Sequence, residues 1–173
     1  MNLIQKKNYK NIKSIIYIYI YMGICNCKQY YKIHKLNSAT NEMPLFSFNG
    51  KNCYAKIVDI YDGDTFKACI YHNNKIIKIN CRALGYDSYE IKPRLNIKNR
   101  EEHIKKAKDA KDYFKSQVNY PNGLVYLKCH KYDKYGRVLV TVYKNRCSHK
   151  SINDIMIDDG HGIKYDGGKK SII

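Results

Sequence analysis

From about residue 51 the chain passes through five short stretches rich in β-branched and aromatic residues: CYAKIVDI, TFKACIYH, KIIKINCRAL, LVYLKCHK and RVLVTVYK. Each has the length and composition of a strand. In the last, Val138, Val140 and Val142 fall on one face. In the third, Ile77, Ile79, Cys81 and Ala83 share a face, and Lys78, Asn80 and Arg82 take the other, which assigns Arg82 to a polar surface. The polar segments HNNK (72–75) and YDKYG (132–136) predict turns between neighbouring strands. Between the third and fourth strands, Ile104, Ala107, Ala110, Phe114 and Val118 recur at helical spacing and predict a helix within 97–118. Lysines 105, 106, 108, 111 and 115 cover its remaining faces. Such a surface is ordinarily just solvated, and nucleic-acid contact is the alternative. A second, short helix is expected in 151–165, started by Ser151 with Asp154 in a capping-box arrangement and stopped by Gly160. Three strands, a helix, two strands and a helix predict an α+β, mainly β fold. The expected architecture is a five-stranded OB-fold barrel, closed and antiparallel, with two or three packed helices.

The first 50 residues read differently. Segment 14–24, SIIYIYIYMGI, is apolar and follows Lys6, Lys7, Lys10 and Lys13, but it is too short to span a bilayer as a helix. It resembles a signal peptide without a convincing cleavage site. Its Ile/Tyr alternation is also what a repeated TA dinucleotide encodes, so translated sequence upstream of the true start is a second reading. Translation from Met22 would make Gly23 the second residue, with Cys25 and Cys27 behind it. That would offer a myristoylation and palmitoylation anchor, although Cys27 stands where the consensus wants Ser or Thr. The expected location follows the start: membrane-associated from Met22, otherwise secreted or cytoplasmic. Residues 28 to about 50 lack sustained periodicity and read as a linker. The expected organisation is therefore an extension over 1–50, a domain over 51–168 and a tail over 169–173.

Composition adds a preference for polyanions. The chain of 173 residues carries 32 Lys+Arg against 15 Asp+Glu, a formal net charge of +17. Nucleic acid and anionic membrane both fit that balance. AT-rich codon usage explains part of the lysine content, but it explains the arginine positions much less well. The seven cysteines show no repeated CxxC pair, which argues against a zinc site and against a disulfide framework. Cys53, Cys69, Cys81 and Cys129 fall inside predicted strands as small apolar residues.

Chemistry concentrates in three segments. YDGDT (61–65) places Asp62 and Asp64 around a glycine at the start of the second strand. CRALGYDSYEIKP (81–93) supplies Arg82, Asp87, Ser88 and Glu90 after the third strand, and YDKYGR (132–137) puts Arg137 just after a turn. Each alone is commonplace. In this order they closely resemble the staphylococcal nuclease-like (thermonuclease) family, whose pattern is D-G-D-T, then R-x-x-x-x-D-[ST]-P-E, then K-Y-G-R. The resemblance covers roughly residues 51 to 168.

The resemblance implies a calcium-dependent phosphodiesterase acting on DNA and RNA, preferably single-stranded or locally melted, and working as a monomer. Asp64 and Asp87, with the backbone carbonyl of Ser88, would bind Ca²⁺. Arg82 and Arg137 would fork onto phosphate oxygens. Glu90 would orient or deprotonate the attacking water. Lys134 and Tyr135 match nucleotide-contacting positions, and Tyr165 is placed to stack on a base. Asp62 keeps a turn-shaping role. The chain departs from the pattern in Ser88 for the commoner Thr and in Tyr89 for Pro, which predicts a less rigid loop around Glu90. The family's long C-terminal helix is expected to be missing or replaced. Two other readings compete: a catalytically weak or inactive nucleic-acid-binding OB-fold module, and a generic barrel that binds single strands by stacking and charge.

Overall fold

A computed structural model describes residues 27–95 and 98–166 of the chain. The chain divides into two compact units, Met1–Leu45 and Phe46–Ile173. In the first, helix α1 (Cys27–Leu36) occupies part of the segment that lacked periodicity and was expected to be a linker. Its Gln, Lys and Leu residues and the basic His34 and Lys35 in its last turn favour it, and at ten residues it is too short to show a sustained period. Of the N-terminal lipidation candidates, Gly23 and Cys25 lie outside the described residues and Cys27 opens α1. The tail over 169–173 also lies outside them.

The second unit is a closed barrel of five strands, in the order β1-β2-β3-β6-β5. They are β1 (Asn52–Ile60), β2 (Thr65–His72), β3 (Lys75–Ala83), β5 (Leu124–Tyr132) and β6 (Val138–Tyr143). Strand β1 closes the ring by pairing with both β2 and β5. This is the expected OB-fold class, with one correction: the barrel is mixed. Strands β3 and β6 run parallel through Cys81↔Val138, Arg82↔Leu139 and Ala83↔Val140. The chain leaves β3 through helix α2 (Arg100–Gln117) and returns along β5 in the opposite direction, and the β5–β6 hairpin then brings β6 parallel to β3.

Alternation builds the core. Phe66, Ala68 and Ile70 of β2, Val125, Leu127 and Cys129 of β5, and Val138, Val140 and Val142 of β6 are buried. A register irregularity between Ile57 and Asp59 lets β1 bury Ile60 as well as Ala55 and Ile57. Phe114 of α2 is buried against Phe66, with ring centroids 5.3 Å apart. The folded unit begins before residue 51, because Phe48 is buried in the same core and packs edge-on against the His72 ring. The β2–β3 hairpin turns through Asn73 and Asn74, both at positive φ, a conformation that asparagine tolerates.

Helix α3 (Ile152–Asp158) starts with the predicted capping box. Ser151 Oγ accepts from the Asp154 N–H, and the Asp154 side chain accepts from the Ser151 N–H. Its Asn153 performs a task that no sequence pattern announced. Asn153 Oδ1 accepts from the Val142 N–H at 2.9 Å, and its Nδ2 donates to the carbonyls of Leu84 (2.7 Å) and Val140 (3.1 Å). A buried amide side chain thereby carries on the hydrogen bonding where the short β3–β6 ladder stops. Two further strands, β4 (Tyr86–Asp87) and β7 (Ile163–Lys164), pair with each other beside the barrel. Replacing Asn153→Ala strands one buried N–H and leaves two carbonyls short of a donor. Urea denaturation should show a loss of about 2–4 kcal/mol.

Candidate functional site

The DGDT segment closes into a turn because Asp62 Oδ1 accepts from the backbone N–H of Asp64 (3.2 Å) and of Thr65 (2.7 Å). Asp62 is therefore the turn-shaping aspartate. Its turn presses against the β4 segment and α2, and glycine is required at its centre. A Cβ on Gly63 would collide with Ser88 Oγ and would lie 3.0 Å from Ser88 Cβ and 3.1 Å from Ala110 Cβ. Tyr86, fully buried, donates its hydroxyl to the Gly63 carbonyl at 2.5 Å. Burial, first, and the nearby Asp64 and Asp62 charges hold that phenol well above its ordinary pKa, so it remains a donor.

Asp64 is 1% exposed. Its Oδ2 accepts from the Ser88 N–H at 2.9 Å, and its Oδ1 accepts from Thr65 Oγ1 at 2.8 Å and from Arg82 Nη1 at 2.9 Å. The other arm of Arg82, Nη2, makes a short contact to Asp87 Oδ1. The guanidinium thus lies between two buried carboxylates. Its side chain is only 15% exposed, which corrects the surface position inferred from strand alternation. Alternation places Arg82 outside the barrel, but the β4 segment folds over that outer face and covers it. Burial pushes the Asp64 carboxyl up to about 7, helped by the neighbouring Asp62. Arg82, the Ser88 N–H and Thr65 pull it back down. Arg82 itself loses by burial but is raised on balance by Asp64 and Asp87.

The second arginine joins the same network through Thr65, whose Oγ1 accepts from Arg137 Nη1 at 3.1 Å. Asp133 sets its position. Asp133 Oδ1 accepts from the backbone N–H of Tyr135 and Arg137, each at 2.9 Å, and Oδ2 accepts from Arg137 Nε at 2.7 Å. Burial raises the Asp133 pKa, but these hydrogen bonds outweigh it and hold the carboxyl below the usual range. The Arg137 guanidinium also lies 5.3 Å from the Tyr135 ring centre, and Lys134 Nζ lies 5.1 Å from it.

Asp64, Arg82, Asp87, Ser88, Glu90 and Arg137 all line one cleft of about 1730 Å³. Lys134, Tyr135 and Tyr165 line it too, so every residue singled out within the domain faces this cavity. Glu90 and Tyr135 are exposed there. Tyr165 follows β7 and is fixed by its backbone N–H to the Gly85 carbonyl at 3.0 Å. Tyr89, which stands where the family pattern has proline, contacts helix α2. Its ring meets His103 of α2 at 5.5 Å, nearly perpendicular, and Lys106 Nζ lies 5.4 Å from its centre.

Sequence reasoning missed Thr65, Tyr86 and Asp133. Thr65 and Asp133 sit inside motifs already noticed, and Asp133 lies four residues before Arg137. Nothing in the local sequence marks Tyr86. For a cation, the donors are Asp64, Asp87 and the Ser88 segment, all hard oxygen. Ser88 Oγ is buried and makes no hydrogen bond. Among the described residues no group of three or more His, Cys, Asp or Glu could hold a metal ion. Two carboxylates, a carbonyl and water nevertheless fit a hard cation that tolerates water as a ligand. The residues present fit calcium on that basis.

A family model described as staphylococcal nuclease homologue matches residues 81–171. The match runs from the end of β3 past β7 and includes Arg82 through Glu90, Lys134 through Arg137, and Tyr165. Asp64 precedes it. No curated protein matches the chain.

The close fit around Gly63 is testable. Gly63→Ala should cost about 1–3 kcal/mol by overpacking. Adding Ser88→Ala should recover part of that loss in a double-mutant cycle by chemical denaturation. Additive losses would show that the two residues do not compete for the same space.

Proposed function

This chain belongs to the staphylococcal nuclease homologue family, and we propose that it is a calcium-dependent nuclease hydrolysing phosphodiester bonds of DNA and RNA. The observation that carries the reading is the continuous network Asp133–Arg137–Thr65–Asp64–Arg82–Asp87 lining a cleft with Lys134 and Tyr135 at its edge. Two planar guanidinium groups held by side chains of their own suit a phosphodiester, whose non-bridging oxygens accept paired N–H donors.

Asp64 and Asp87, with Ser88, would hold calcium. The ion when bound supplies charge neutralisation and polarisation of the phosphodiester. The chain's own groups do the rest. Negative charge grows on the non-bridging oxygens as the attacking oxygen approaches phosphorus. Arg82 and Arg137 bind that charge more strongly than the ground state, and this lowers the barrier. Glu90, exposed in the cleft, accepts a proton from the attacking water. A P–O bond forms to the water oxygen, the opposite P–O ester bond breaks, and the departing oxygen takes a proton from solvent. Lys134 adds positive charge, and Tyr135 and Tyr165 offer ring faces to bases. The preferred strand is single or locally melted, because a duplex hides those base faces. The protein acts as a monomer in this reading.

One observation favours the alternative, a binding module with weak or no catalysis. Arg82 already engages both Asp64 and Asp87, so the acidic pair is partly neutralised from within. Substrate and cation must compete for those groups.

The purified protein should cleave single-stranded DNA with millimolar calcium and stop when EDTA is added. Intact substrate after long incubation would move the assignment to the binding module. Calcium should also raise the melting temperature in the absence of substrate, a readout independent of turnover. Arg137→Ala should slow cleavage by a factor on the order of 10² or more. An unchanged rate would remove Arg137 from the chemistry.

A further inference from the structure

Helix α2 carries a second basic surface outside the cleft. Lys108, Lys111 and Lys115 stand at intervals of three and four, so they form one stripe along the helix. With Ile91 and Asp112 they line a groove of about 290 Å³. Ile91 lines the catalytic cleft as well, between Glu90 and Lys92, so the two concavities meet at that side chain.

A second observation puts the stripe beside the mouth of the cleft. Asp59, which lines the cleft, is held below its ordinary pKa by Lys67 first and also by Lys111 of α2. Besides Glu90, two acids on this route are each engaged by lysine. Lys67 binds Asp59 at 2.9 Å, and Lys115 binds Asp112 at 2.7 Å. These pairs cancel, and Lys92, Lys108 and Lys111 against Glu90 leave the surface between cleft and helix positive.

We propose that the Lys108–Lys111–Lys115 groove is an extension of the substrate site that carries the phosphodiester backbone of a single strand beyond the cleft. From Lys108 to Lys115 the helix rises about 10 Å. That is long enough to reach successive phosphates of an extended single strand. Ile91 gives the strand an apolar crossing point, while Lys92 and Arg94 flank the cleft side. Contacts of this kind bind backbone without reading sequence. The groove lengthens the favoured substrate and leaves the bond-breaking groups untouched. The proposal rests on the nuclease reading for its biological sense, but binding can be measured without cleavage.

The test uses the full chain in EDTA, with fluorescently labelled single-stranded DNA of two lengths: a dinucleotide that fills only the cleft and a 15-mer. Lys108→Glu/Lys111→Glu/Lys115→Glu should weaken the 15-mer at least tenfold and leave the dinucleotide within twofold. The slope of log affinity against log salt should fall by about 2 for the 15-mer. A milder Lys108→Gln/Lys111→Gln/Lys115→Gln variant should act in the same direction with a smaller effect. Both are first checked for an unchanged melting temperature, and the glutamine variant decides if the glutamate one fails to fold. The control Lys56→Glu/Lys75→Glu/Lys144→Glu makes the same charge change at lysines that line neither groove. Equal loss in that control would overturn the groove in favour of a net-charge effect, as would equal loss for both lengths. An unchanged 15-mer affinity would also overturn it. Calcium-dependent cleavage of the dinucleotide reports separately on the nuclease reading, so that reading can fail while the groove stands, or the reverse. Tighter binding of anionic vesicles than of the 15-mer, lost in the same variants, would reassign the stripe to a membrane surface.

Discussion

The arrangement turns on one guanidinium. Arg82 holds Asp64 and Asp87 together at the end of β3, where both carboxylates are almost entirely buried. Two buried like charges repel and are costly to desolvate; a shared cation makes their proximity tolerable. The same contacts tie the DGDT turn to the β4 segment, with the Ser88 N–H to Asp64 and the Tyr86 hydroxyl to Gly63 as parallel ties. Removing Arg82 would therefore disturb binding chemistry and local structure at once.

The barrel explains why the second arginine reaches the first. Strand β6 runs parallel to β3 with Arg82 beside Leu139, so Arg137, just before β6, emerges at the same end of the sheet. Both arginines point outward, because Cys81 and Val138 point in. The parallel ladder is short, and Asn153 extends it by bonding Val142, Val140 and Leu84. A buried amide in α3 thus ties together the ends of the strands that carry the two arginines. Such a network stabilises only while every member is satisfied.

The same outer face continues onto α2. Tyr89 rests on His103 and Lys106, and Ile91 bridges to Lys108, Lys111 and Lys115. The helix is therefore more than packing for Phe66 and the Gly63 turn. It supports the loop that carries Glu90 and offers positive charge along a path leading away from it. High net charge draws a polyanion from a distance; in the proposed reading, this face then sets how a strand lies.

Much of the fold was legible because period-two alternation and helical spacing are local signals. The strands of the barrel, α2, and the Ser151 cap of α3 all fell close to their expected places. The DGDT, DSYE and KYGR segments were legible as chemistry because residue type and order are enough to suggest it. What sequence could not show was which polar residues face one another. Arg82 looked like a surface arginine because alternation separates inside from outside of the barrel and says nothing of the segment that covers the outside. Thr65, Tyr86 and Asn153 owe their roles to contacts across sequence separations as large as 72 residues, as in Arg137 to Thr65. The parallel β3–β6 pairing and the small β4–β7 sheet are likewise long-range choices. By itself the sequence determined the strands, the main helices and the set of candidate groups, because these depend on neighbours along the chain. The tertiary structure decided the burial of Arg82, the meeting of the two arginines and the continuity of the cleft with α2, because these depend on how the barrel closes.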